Sequence, residues 1–215
     1  MFNCVSIVVI LPVLMVAIPF INGGGELDVF VDLYQNFKDL FALVLVGIFV
    51  FVAGTNPTQS TTVSREGKAS WINKVIPVAK RDFFIGRMVF PMILQISAMV
   101  FFIVPLIFIL KLEASTALFA FTGGLAGSFP VIGFGILIDT LRPKLDWDDP
   151  QKAVKQNLNV LFNMLGAMIF GVVMGFIMLF LFNTAGLAIA YLIAMLIAAS
   201  ILLTFLIYNL YSRFN

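Results

Sequence analysis

The sequence contains no histidine, a single cysteine (Cys4) and few charged residues. Without histidine the commonest zinc ligand is missing, and one cysteine excludes a disulfide within the chain. Charged residues make up 11% of the 215 residues, hydrophobic residues 61%, and the mean hydropathy is +1.09. So little polar surface does not coat a water-soluble globule of this size. The net charge of +2 is too small to indicate a nucleic-acid partner.

Six long apolar runs account for this composition. Most of them reach the roughly 18 uncharged residues that cross a hydrocarbon core of about 30 Å. Such runs must be helical, because an open strand edge in lipid leaves backbone groups unpaired. No basic residue precedes the first run, so we interpret it as a span and not as a signal peptide. The sequence predicts an all-α membrane protein with six transmembrane helices in a single domain, residues 1–215, at about 4–21, 40–54, 88–110, 116–138, 160–182 and 184–210.

Basic residues are biased to one side of the predicted membrane. Loops 54–87 and 139–158 and the C-terminus carry eleven of the thirteen lysines and arginines: Arg65, Lys68, Lys74, Lys80, Arg81, Arg87, Arg142, Lys144, Lys152, Lys155 and Arg213. Positive residues are retained in the cytoplasm, which predicts a multi-pass plasma-membrane protein with both termini cytoplasmic. On the opposite side, residues 23–39 predict an amphipathic helix at the interface. The short connections at 111–115 and 183 predict two antiparallel helical hairpins.

Polar residues within the predicted spans are neutral. An ion-coupled carrier usually needs ionisable groups at membrane depth, and none lies clearly inside a span. For Gln95 and Ser97 we favour hydrogen bonding between helices, with the lining of a substrate path as the alternative. Since histidine and paired intramembrane carboxylates are both missing, the sequence predicts no catalytic residue and no enzymatic activity in the chain itself.

Three local motifs have plain structural interpretations. Gly67 and Lys68 are followed by Ala69, so the hydroxyl that a nucleotide P-loop places on magnesium is missing. The acidic residues at 146–149 precede Pro150, which favours a helix start running into the fifth span over a metal or headgroup site. No metal site is predicted. GxxxG spacings at 123–127 and 171–175 favour close packing within the chain over a dimer interface.

The long loop on the basic side contains the most informative pattern. Trp71, Ile72, Val75 and Ile76 recur at helical spacing, and Pro77 follows them. The pattern predicts a short amphipathic helix within 64–78, lying parallel to the membrane. Two roles fit such a helix: an interfacial anchor, or a docking helix for a soluble partner.

The order of residues in this loop also matches a known family. Ser64, Arg65, Glu66, Gly67 and Lys68 are followed by Trp71, Lys74, Pro77, Val78, Gly86 and Arg87. This pattern resembles the permease subunits of ABC-2 type exporters, and residues 142–147 and 153–157 resemble a subgroup of bacterial permeases. The resemblance covers about residues 56–158 by motif and the rest by hydropathy. Permeases of that subgroup have further spans upstream, so the chain is either a shortened relative or the C-terminal part of a longer permease.

The resemblance implies a permease that pairs with a second permease subunit in the lipid bilayer. Separate ATP-binding cassette ATPase subunits would bind ATP and magnesium, so the permease itself would need no cofactor. The loop helix would insert into the ATPase as a coupling helix, and the residues implied for this contact are Arg65, Glu66, Gly67, Lys68, Trp71, Lys74 and Pro77. The residues alone also leave open an ion-coupled secondary carrier and a non-transporting membrane scaffold or sensor subunit.

Overall fold

The computed structural model of the chain describes residues 25–75, 79–147, 151–155, 157–185 and 189–214. The α-helices in this part are α1 (Gly25–Asn36), α2 (Lys38–Thr55), α3 (Ile72–Val75), α4 (Lys80–Ile109), α5 (Ala114–Leu141), α6 (Lys152–Lys155), α7 (Leu158–Ala185) and α8 (Ile189–Phe214). A 3-10 helix, Ser64–Trp71, lies between α2 and α3. The described residues contain no β-strand, which confirms the predicted all-α class.

Four of the described helices are long and apolar enough to cross a membrane. They are α2, α4, α5 and the Leu158–Ile177 part of α7, and they coincide with the predicted second to fifth spans. Helix α8 contains a shorter apolar stretch, Leu196–Ser212, within the predicted sixth span. The predicted first span, 4–21, lies outside the described residues. The helices are compatible with a multi-pass membrane protein, and the count of six spans stays a prediction.

Helix α5 is the centre of the bundle and contacts α2, α4, α7 and α8. Its buried residues lie on every side, as expected for a helix that other helices surround. Small residues allow the closest approach: a Cβ added to Gly124 would lie 2.7 Å from the Phe49 ring, and one on Gly127 would overlap Val50. The 123–127 segment thus packs within the chain, as predicted. At 171–175, an added Cβ on Gly171 would lie 3.8 Å from Val50, whereas one on Gly175, beside a small cavity, would meet no described atom within 4 Å, so close packing there stays a prediction.

The antiparallel helices collect the loops at two ends. At one end, Lys38 forms a 2.6 Å ion pair with Glu113, and the backbone N–H of Glu113 donates to the buried Tyr34 hydroxyl (2.8 Å). These contacts fix α1 and the α4–α5 connection together, and α1 confirms the helix predicted within 23–39. The other end brings together the C-terminal end of α8 and the described loop residues 56–75, 142–147, 151–155 and 157. There Lys80 Nζ donates to the Ser212 carbonyl (2.9 Å). We call this second end the basic end.

Two predictions about the loops at the basic end are wrong in detail. Residues 64–75 do not form one continuous amphipathic helix, because Gly67 has φ +54° and ψ −132° and interrupts the 3-10 helix before α3 begins. Likewise, no single helix runs from the acidic cluster into α7. Asn157 is not helical; its side-chain oxygen accepts a hydrogen bond from the Asn159 N–H (3.0 Å) and so caps α7 separately.

Candidate functional site at the basic end

Asp139, in the last turn of α5, is fully buried at the basic end. Its carboxylate accepts hydrogen bonds from the backbone N–H groups of Val63 (2.6 Å) and Ser64 (2.9 Å). It also accepts from the Ser64 hydroxyl and from Asn159 Nδ2 (2.9 Å). A buried carboxylate is stable only where donors satisfy its oxygens, since in its ionised form it can only accept. The first loop, through Val63 and Ser64, and α7, through Asn159, supply these donors.

Ser64 is the second centre of the same network. Its hydroxyl donates to Asp139 and accepts from the Lys144 N–H (2.8 Å) and from Asn157 Nδ2 (3.1 Å). One donor and two lone pairs are the full capacity of a hydroxyl group. The Ser64 carbonyl also accepts from Trp147 Nε1 (2.8 Å). Ser64 therefore joins the first loop to α5, to the second loop and to the cap of α7.

Gly67, three residues after Ser64, also contacts the second loop. Two features of this position require glycine. Its φ of +54° with ψ of −132° lies in a region that residues with a Cβ rarely adopt. An added Cβ would also lie 2.7 Å from Trp147 Cζ2. Trp147 thus covers the turn at Gly67 and hydrogen-bonds to Ser64 from the same position. We call the assembly of Ser64, Gly67, Asp139, Trp147, Asn157 and Asn159 the loop junction.

The resemblance places Arg65 and Glu66 at an ATPase. In the structure their side chains form hydrogen bonds and an ion pair with other residues of this chain. The Arg65 guanidinium donates to the carbonyls of Thr58 (3.0 Å) and Thr61 (3.2 Å), in a segment whose polar side chains are buried. Glu66 forms a 3.2 Å ion pair with Arg87 of α4. These contacts attach the 3-10 helix to the turn after α2 and to the start of α4.

The far part of the same segment faces outward. Lys68 is exposed, and Trp71 and Val75 expose 62% and 68% of their surface. Ile72, between them, is also exposed, and we call Trp71, Ile72 and Val75 the apolar knob. The backbone of Lys74 lies in α3 within this knob, whereas Pro77 is outside the described residues. Exposed apolar groups of this size mark contact with a partner protein or with a membrane surface.

The two polar residues proposed for a substrate path lie on α4. Gln95 is buried, and its Nε2 donates to the Phe49 carbonyl of α2 (2.9 Å), which confirms hydrogen bonding between helices. Its Oε1 finds no partner among the described residues. The Ser97 hydroxyl donates to the Ile93 carbonyl of its own helix (2.8 Å), which is not the hydrogen bond between helices predicted for this residue. A role for either residue in a substrate path stays a prediction.

Asp139 was not singled out from the sequence, although one signal was present. It is the acid that ends an otherwise uncharged run from residue 114, a position that we assigned to the loop. Among the described residues no group of three or more histidine, cysteine, aspartate or glutamate side chains is placed to hold a metal ion. The hydrogen bonds of the junction connect the ends of α5 and α7 to the two loops.

Comparisons with known proteins do not identify the chain. No family model, no curated protein and no solved structure matches it. The resemblance to ABC-2 permeases rests on the residues of the two loops, and the transport function follows as a proposal.

Proposed function

We propose that the chain is the transmembrane permease subunit of an ATP-driven ABC-2 type exporter. Its helices would form the substrate path in the plasma membrane, with six spans, both termini in the cytoplasm and a second permease subunit beside it. Hydrolysis of ATP with magnesium would take place on a separate ATPase subunit. The observation that carries the proposal is the apolar knob at the basic end, which is exposed although the segment leading to it is firmly attached.

The attachment is what a coupling element needs. A soluble ATPase can transmit its conformational change to membrane helices only through a rigid contact. The loop junction ties the segment to the ends of α5 and α7 through Asp139 and Asn159, and the Glu66–Arg87 ion pair ties it to α4. An interfacial anchor needs an apolar face and flanking basic residues, but it has no use for a buried carboxylate with several donors.

The exposed side chains fit a protein partner. Tryptophan is enriched among the residues that dominate binding energy at protein interfaces, where it fills a pocket on the partner. Trp71 is flanked by the exposed Lys68, which favours a cleft with an acidic rim. Asp139, the buried carboxylate, lies at a helix end and is engaged by the loops, so it does not favour an ion-coupled carrier.

A reconstituted complex tests the proposal. The chain is co-expressed with an ATP-binding cassette ATPase subunit, taken from the neighbouring gene where that gene encodes one, purified and placed in liposomes, and ATP hydrolysis and ATPase binding are measured. We expect Trp71→Ala to weaken ATPase binding by about tenfold or more, the effect of truncating a central interface tryptophan. The matched control is Phe108→Ala, an exposed aromatic residue near the opposite end of α4.

Both variants should keep the unfolding midpoint of the unsubstituted chain, because neither side chain is buried. Normal ATPase binding and hydrolysis in Trp71→Ala would contradict the proposal. Flux that follows an ion gradient without ATP would favour the carrier hypothesis instead, and partner binding without any flux would favour a scaffold.

A further inference from the structure

A groove of about 740 Å³ lies between α4 and α8, over the surface of α5. Residues from all three helices line it, among them Phe84, Met88, Phe129, Ile201 and Phe205. At the basic end aromatic residues border the groove: the Phe84 ring lies 5.6 Å from that of Tyr208 and 5.0 Å from that of Tyr211. Its volume is in the range of roughly 300–1,000 Å³ that small-molecule sites occupy.

We propose that this groove binds an acyl chain of an anionic phospholipid, whose phosphate group contacts Arg81. The inference rests on the membrane location of the helices and not on the docking of an ATPase, so the two proposals can fail separately. Two features of the groove carry it: its length and the cation at its mouth.

The length of the groove matches one leaflet of a bilayer. On α8 the lining runs from Ile197 to Tyr208, a rise of about 17 Å at 1.5 Å per residue. Half of a hydrocarbon core of about 30 Å is roughly 15 Å. The groove begins at the basic end, so the matching leaflet is the one on that side. A single lipid tail therefore fits along it from the interface to the bilayer centre.

The mouth of the groove carries a cation without a described counter-ion. Arg81 lines the groove and is exposed, and no carboxylate among the described residues lies within ion-pair distance of it. The neighbouring Lys80 donates to the Ser212 carbonyl, and Asp82 is not part of the lining. A guanidinium group binds phosphate oxygens in a bidentate manner, which suits a phospholipid headgroup at this position.

Native mass spectrometry of the purified full chain tests the proposal. The protein in detergent is mixed with phosphatidylglycerol or with phosphatidylcholine carrying identical acyl chains, and the bound lipid is counted. We expect preferential retention of phosphatidylglycerol. Arg81→Gln should reduce this preference roughly fivefold, the effect of one basic residue near anionic headgroups. Arg142→Gln, an exposed arginine at the same end that does not line the groove, should keep it.

A second pair of variants tests the tail. Ile201 and Leu202 are adjacent on α8 and similarly exposed, at 66% and 61%, but Leu202 does not line the groove. Ile201→Trp should fill the groove and reduce retention of both lipids several-fold, whereas Leu202→Trp should not. Equal retention in these two variants, or an unchanged preference in Arg81→Gln, would overturn the proposal.

Residues 4–21 of the chain itself are the competing occupant. Phe205→Cys is combined with cysteines introduced one at a time at positions 8–18, in a Cys4→Ser background, and cross-linking is induced by oxidation in liposomes. A cross-link that forms with these residues in high yield would show that the chain fills its own groove and would overturn lipid binding. Lack of a cross-link together with selective lipid retention supports the proposal.

Discussion

Replacing Asp139 by asparagine should detach the loop junction while the helix bundle stays folded. Asp139 Oδ2 accepts from the backbone N–H groups of Val63 and Ser64, and Oδ1 accepts from the Ser64 hydroxyl and from Asn159. Asparagine keeps one oxygen and puts an NH2 group in place of the other. In either orientation the NH2 group faces donors.

The Ser64 hydroxyl cannot accept a hydrogen bond from the new NH2 group. Both of its lone pairs are already used by the Lys144 N–H and by Asn157 Nδ2, so it cannot accept from the new amide. Two hydrogen bonds to a charged group are therefore lost, at about 1.5–3 kcal/mol each. We expect Asp139→Asn to shift the equilibrium between attached and detached junction by about 3 kcal/mol or more, a factor on the order of one hundred.

Trp147 reports this change directly. The chain has two tryptophans, and Trp71→Phe leaves Trp147 as the remaining one, which is excited selectively over the four tyrosines at the red edge of the absorption band. Its indole hydrogen-bonds to Ser64 and covers Gly67, so detachment exposes it to water and shifts its emission to the red. In a denaturant titration in detergent, Trp147 emission should change at a lower concentration in Asp139→Asn, well before the helical circular dichroism signal is lost.

The control is Asp146→Asn, which makes the same chemical change at an exposed carboxylate of the second loop. Its effect should stay within about 0.5 kcal/mol, as for surface substitutions generally. The reasoning would be refuted if Asp139→Asn and Asp146→Asn gave the same emission midpoint, because the buried carboxylate would then contribute nothing specific.

Two glycine substitutions test the packing around the junction and in the bundle. Gly67→Ala should lower the stability of the junction by at least about 1–2 kcal/mol in the same emission assay, because Gly67 has a positive φ and contacts an indole ring. Its control is Gly86→Ala on α4, which has no described atom within 4 Å of the added Cβ and should be neutral or stabilising. Equal effects of the two substitutions would contradict this. Gly127→Ala should lower the free energy of unfolding of the bundle by about 1–3 kcal/mol by forcing α5 away from α2. Gly175→Ala should not, and a circular dichroism titration with matching midpoints for these two variants would show that the approach of α5 to α2 is not tight.

The long helices could be predicted from hydropathy because nothing beyond local composition decides them. A run of about 20 apolar residues has no stable alternative to a helix in lipid, so the predicted spans 40–54, 88–110 and 116–138 coincide with α2, α4 and α5. Their ends were less predictable. Helix α4 begins at Lys80, two turns before the predicted span, because basic first turns extend past the apolar core.

The loop junction could not be predicted, because its hydrogen bonds join residues far apart in the chain. Ser64 and Asp139 are 75 positions apart, and neither residue shows from its neighbours which donors it will meet. The interruption at Gly67 was hidden for a related reason. Glycine adopts negative and positive φ values about equally readily, so its presence in the sequence does not show which of them it takes. The positive φ of Gly67 occurs where Trp147 of the second loop packs against it.

The motif that resembles ABC-2 permeases has two parts, one attached to the rest of the chain at the junction and one exposed. Residues up to Gly67 are held by this chain, whereas Trp71, Ile72 and Val75 are exposed. If the proposed function is correct, substitutions in the two parts should differ in kind. Trp71→Ala should lose ATPase binding, and hydrolysis stimulated by the permease with it. Asp139→Asn should leave the knob able to bind but no longer firmly attached to α5, so that the ATPase binds and hydrolyses ATP without moving the helices.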